Sequence, residues 1–145
     1  MSEKLKNSFK VFIIYWLPFI VWAVVIYSFS SNPTVKTSEI HWQDFVIKKS
    51  AHVVEYFIFS LLLYRAIKKS QLKMENKNII LLVIVVAFLY GLSDEFHQSF
   101  TPGREPHLRD ALIDTGGSAL FFVFLSKIAP RYKKLAEVVK MLQLA

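Results

Sequence analysis

The chain has 145 residues, 54% of them hydrophobic and 15% aromatic, with a mean hydropathy of +0.38, which fits one domain and excludes a disordered chain. Cysteine is absent, which excludes disulfides, zinc–thiolate sites, iron–sulfur clusters and cysteine nucleophiles. The formal charge of +7 fits either nucleic acid or an anionic membrane surface, but the basic residues fall between apolar runs and form no stripe, so a membrane protein with no nucleic-acid partner is expected.

In chain order, the first apolar run is uncharged from Val11 to Phe29, enough for a helix to cross a hydrocarbon core of ~30 Å. Three lysines precede it, and Ser28-Phe29-Ser30 has the small residues of a cleavage site. The run nevertheless exceeds the roughly 7–15 apolar residues of a signal peptide, so an uncleaved signal anchor is expected. Next, Trp42, Phe45, Val46 and Lys49 recur at helical spacing behind Ser38, which predicts a short interfacial helix over residues 38–49 with Ser38 as its cap. Further spans are expected over about 50–67, 79–99 and 110–128. Lipid cannot satisfy open strand edges, so all four spans must be helices. The tail from Tyr132 to Leu144 alternates basic and aliphatic residues and is expected to lie along the inner leaflet. The predicted fold is an all-α integral membrane bundle of four transmembrane helices, one domain over residues 1–145.

Orientation follows from lysine and arginine in the short flanks. Thirteen fall at the N-terminus, after the second span and at the C-terminal end, against five on the other side, so both termini are expected in the cytoplasm. Eight of the eleven acidic residues and all four histidines fall on the outer side. Acids contribute little to orientation, so this asymmetry points to an extracytoplasmic site.

The polar residues gather in three places. Lys49, His52 and Tyr56 share one face of the second helix, with Glu55 one turn beyond His52. In the third helix, Ile79 to Ser93 covers only ~22 Å at 1.5 Å per residue. It must continue towards Phe100 to cross, which places Asp94, Glu95, His97 and Gln98 at the level of the outer leaflet. Spacing lets Asp94 pair with either His97 or Gln98. Pro102-Gly103 then predicts a chain reversal, with Arg104 offering a planar fork to a carboxylate or phosphate. His107, Asp110 and Asp114 follow at i, i+3 and i+7, as one face of the fourth helix, and Gly117 continues it as a bare surface for a neighbouring helix.

Plainer readings stand beside these. His52 with Glu55, and Arg104 with Asp110, are also what structural ion pairs look like, and Asp94 and Asp114 also suit helix ends in water. His and carboxylate ligands on adjacent helices could also bind zinc, magnesium or calcium, but the spacing matches no fixed ligand motif, and no metal ligands are assigned. Ser93 and Ser99 lack a nucleophile elbow, and phosphate-binding glycine loops are missing. Nothing in the chain fixes a cofactor or an oligomeric state.

Together, Lys49-x-x-His52-x-x-x-Tyr56, Glu95-x-x-Gln98 with Pro102-Gly103-Arg104, and Asp110-x-x-x-Asp114-x-x-Gly117 resemble the VanZ-like family over roughly residues 10–128. These are small bacterial membrane proteins named for an accessory glycopeptide-resistance protein linked to teicoplanin. The resemblance implies a role in the cell envelope, in the bacterial cytoplasmic membrane, with reduced lipoglycopeptide binding as one expected consequence. It supplies no reaction. Asp114 departs from the family pattern, where many members have Asn, and this bears on whether the namesake's substrate is shared.

The chemistry is therefore argued from the residues. A lipid-linked anionic substrate, such as a membrane lipid or cell-wall precursor, is expected at the outer leaflet. Arg104, with Lys49 or Arg109, would hold its phosphate or carboxylate, with Gln98 and Asp114 as further binding groups. Glu95 or Asp94 would act as base and His52 or His97 as acid, with Asp110 beside them. Two alternatives remain open: a binding protein without turnover, and an assembly partner whose polar cluster only locks the helices.

Overall fold

The computed structural model describes residues 3–31, 40–70, 74–101 and 106–144. The predicted Pro102-Gly103 turn, Arg104 and the Ser38 cap lie outside these residues. Everything described is helix or short connection, and no strand occurs among the described residues.

The first helix, α1, runs continuously over residues 3–30 and contains a π-helical turn at Phe12–Trp16. Pro18 explains the turn. Its missing N–H leaves the Ile14 carbonyl without its usual partner, and its ring crowds the preceding turn, so the backbone widens just before it. The same device recurs near the other end of the chain. Helix α4 begins at Leu108–Val123, widens into a π-helical turn at Phe124–Ile128, and closes through a tight turn at Ala129–Arg131 that contains Pro130.

Between them lie α2 (His41–Lys69) and α3 (Asn76–Gln98), and a short amphipathic α5 (Lys133–Met141) ends the described chain. Residues 41–49 correct the expectation of a separate interfacial helix: they are the first turns of α2. No glycine, proline or cap interrupts Lys49-Ser50-Ala51, so nothing in the sequence stops the helix there.

Three helices are long and apolar enough to cross a membrane: Leu5–Ser30, Asn76–Gln98 and Leu108–Arg131. Their burial separates them. Only 6% of the apolar window in the first is buried, against 33% in each of the others, so α1 is peripheral. The core is built on α2, where Tyr56, Phe59, Leu63, Tyr64 and Ile67 are all buried. They meet Phe121 and Phe122 of α4 and Ile79, Val83 and Ala87 of α3.

Small residues set how closely these helices approach. A Cβ on Gly117 would collide with the Val53 carbonyl oxygen, so α4 rests on the bare backbone of α2. A Cβ on Gly91 of α3 would come within 3.4 Å of both the Ala111 Cα and an Asp114 oxygen on α4. Below these contacts Ser60 donates to Ser118 at 2.7 Å, a fully buried bond between α2 and α4. Gly116, by contrast, faces open space.

Candidate functional site at one end of the bundle

The approach of α2, α3 and α4 gathers ionisable groups around Asp114. This residue lies on α4, is only 1% exposed, and is wedged against Gly91 of α3. Its Oδ1 is 3.2 Å from His52 Nδ1 on α2, while Glu55 Oε2 stands 4.0 Å from the same nitrogen. The Tyr56 hydroxyl lies beside it, and Glu55 and Asp94 are close enough to interact with it electrostatically. Among the described residues, no hydrogen bond of good geometry reaches either Asp114 oxygen or the Tyr56 hydroxyl. Leaving buried acceptors so poorly satisfied costs free energy.

Asp94 occupies the α1 side of this cluster. Its Oδ2 accepts a hydrogen bond from Gln98 Nε2 at 2.7 Å, which settles the choice between Gln98 and His97, and the Ser30 hydroxyl of α1 lies against the carboxylate. His97 points elsewhere. Its ring stacks on Tyr27 of α1 with centroids 4.2 Å apart, and its Nε2 is 2.9 Å from the Ser31 hydroxyl. It is therefore a contact between α1 and α3, one turn away from the acid cluster.

Towards the helix ends the charges change sign. Lys49 Nζ meets Asp110 Oδ2 at 2.6 Å, joining α2 to α4, and Arg109 Nε lies 3.5 Å from the other oxygen. Phe45 sits between the two cations, with Arg109 at 5.3 Å and Lys49 at 5.8 Å from its ring centroid. The aromatic face attracts both and holds them side by side. The Arg109 side chain remains 63% exposed, so its fork is open to an anion.

Two expectations change in detail. Glu95 is buried, but its Oε2 accepts the His107 backbone N–H at 2.8 Å. That bond ties the end of α3 to the start of α4. His107 accordingly lies just before α4 with extended backbone, and does not share a helical face with Asp110 and Asp114. Its extended backbone makes it the residue before the first helical turn, and its amide, without an acceptor inside the helix, is taken up by Glu95. The structure thus brings together His52, Asp94, Gln98, Asp110, Asp114 and Lys49, with Arg109 at the edge, and sets His97 apart.

Sequence spacing did not bring out Ser30 or Tyr27, and it grouped Phe45 with Lys49 only as one face of an interfacial helix. Glu55 was legible one turn from His52, whereas Ser30 reaches the site only through the docking of α1. Among the described residues no group of three or more histidines and carboxylates is arranged to hold a metal ion.

No curated protein and no solved structure matches the chain. A family model described as VanZ/LLP1 does match, over residues 2–129, a stretch that takes in α1 to α4 and every side chain of the polar cluster. By that match the chain belongs to the VanZ/LLP1 family and is a membrane protein of that kind.

Proposed function

We propose that this protein crosses the bacterial cytoplasmic membrane four times, with α2 as a span in addition to the three apolar helices and both termini cytoplasmic. Its polar end then opens at the outer leaflet and acts on a lipid-linked anionic substrate. The distribution of lysine and arginine supports the orientation. Ionisable groups at membrane depth are costly and usually serve a function, which supports the site.

One observation carries the reading: Asp114 is buried, under-satisfied and in contact with His52, directly beneath a cationic edge. Arg109 and Lys49 hold the phosphate or carboxylate, a role that the sequence also offers to Arg104. With Nδ1 turned to Asp114, His52 has Nε2 left for the substrate, and it serves as acid or base. Asp114 orients the imidazole, a task that an Asn oxygen could also perform. Asp94, held by Gln98, and Glu55 complete the acidic wall. Any effect on glycopeptide susceptibility follows from altered envelope lipids.

Incubating the purified protein with bacterial lipid extract and following lipids by mass spectrometry tests this. The parent is expected to consume a lipid that His52→Gln spares, with turnover down about a hundredfold or more. Retention of the lipid by both proteins with no consumption would replace catalysis by binding. Neither retention nor consumption would leave a structural cluster.

A further inference from the structure

The other end of the bundle contains a second feature with its own chemistry. A cavity of about 430 Å³ opens between α2, α3, α4 and α5, within the roughly 300–1,000 Å³ typical of small-molecule sites. Lys68 on its edge is sixteen residues beyond His52 on α2, or ~24 Å along the helix at 1.5 Å per residue, so the cavity is separate from the polar cluster.

Its walls are apolar, formed by Ile80, Phe122, Leu125 and Val139, with Ala129 and Ala136 leaving room between them. Its mouth carries Lys68 and Lys140, with Asn76 and Ser126 as neutral hydrogen-bonding groups. Lys68 donates to the Leu144 carbonyl at 2.9 Å and lies 5.4 Å from the Tyr64 ring centroid, and neither contact cancels its charge. Among the described residues no carboxylate lies within ion-pair distance of Lys68 or Lys140. Arg131, Lys133 and Lys134 raise the positive potential further, against Glu137 alone in that stretch.

An apolar hollow with two ammonium groups at its mouth, neither paired with a carboxylate among the described residues, has the complementarity of an anionic amphiphile. We propose that it binds one anionic phospholipid of the surrounding membrane, with acyl chain between Phe122 and Val139 and phosphate between Lys68 and Lys140. Helix α5 supplies Ala136, Val139 and Lys140 and lies beyond the stretch matched by the family, so this lipid site is completed by a segment outside the family domain. The bound lipid joins α5 to the ends of α2 and α4.

The test uses the full chain in detergent with phosphatidylglycerol or phosphatidylcholine of identical acyl chains, read by native mass spectrometry and thermal unfolding. The parent should retain one phosphatidylglycerol and unfold at a higher temperature with it, and gain little from phosphatidylcholine. Lys140→Ala, at an exposed position, should weaken phosphatidylglycerol binding about fivefold, the share of one lysine near an anionic lipid. Ala136→Trp should fill the cavity and abolish retention of both lipids. Equal retention of the two lipids by the parent would overturn the proposal. So would a loss in Lys133→Ala as large as in Lys140→Ala, because diffuse attraction would then suffice. If Ala136→Trp fails to fold, the comparison of those two lysine variants decides.

Discussion

At the scale of single residues, the site is a set of exchanges between burial and pairing. Asp114 is tolerated beneath the surface because His52 faces it, and Asp110 because Lys49 reaches across from α2. Removing one partner strands the other. Lys49→Ala leaves Asp110 half-satisfied, and the side chains are 20% and 12% exposed, so the cost should fall between exposed and buried pairs, about 2 kcal/mol. Thermal unfolding in detergent would show it, and the double variant with Asp110→Ala should recover much of the loss. Asp114→Asn is expected to fold normally and lose about tenfold in turnover, far less than His52→Gln, because the amide oxygen still orients the ring. Equal losses in the two would mean that the carboxylate charge itself takes part in the chemistry.

At the scale of helices, small residues decide which groups meet. Gly117 lets α4 settle on the Val53 backbone, and that approach brings Asp114 within reach of His52. Gly117→Ala should push the helices apart at a cost of about 1–3 kcal/mol and reduce turnover, whereas Gly116→Ala, facing open space, should be silent in both assays. The apolar helices expected over 11–29, 79–99 and 110–128 were legible because long, largely apolar runs specify them, and α3 and α4 were placed within three residues at each end. The start of α2 was misread because an amphipathic pattern over 38–49 resembles a separate element, although no breaker follows it. His52, Asp94, Gln98, Asp110 and Asp114 were legible as polar residues where the bilayer begins. Their pairing was not: local spacing offers Glu55 to His52, and only the docking of α4 substitutes Asp114. Likewise, the spacing that put His107 on a helical face carries no sign that Glu95 captures its amide.

At the scale of the whole molecule, two ends of opposite character are joined by an aromatic core running from Tyr56 to Phe122. One end is acidic with a small cationic edge; the other is basic, with an apolar cavity. The assignment of a lipid-linked substrate rests on the acidic end facing outward. The chain contains no cysteine, so single cysteines can be introduced without background. Leu108 beside the cluster and Met141 at the far end are both exposed. Labelling Leu108→Cys and Met141→Cys in cells with a maleimide that cannot cross the inner membrane tests the central claim directly. Leu108→Cys should react in intact cells and Met141→Cys only after permeabilisation. The reverse pattern would place the His52–Asp114 site in the cytoplasm and contradict its action on an outer-leaflet lipid.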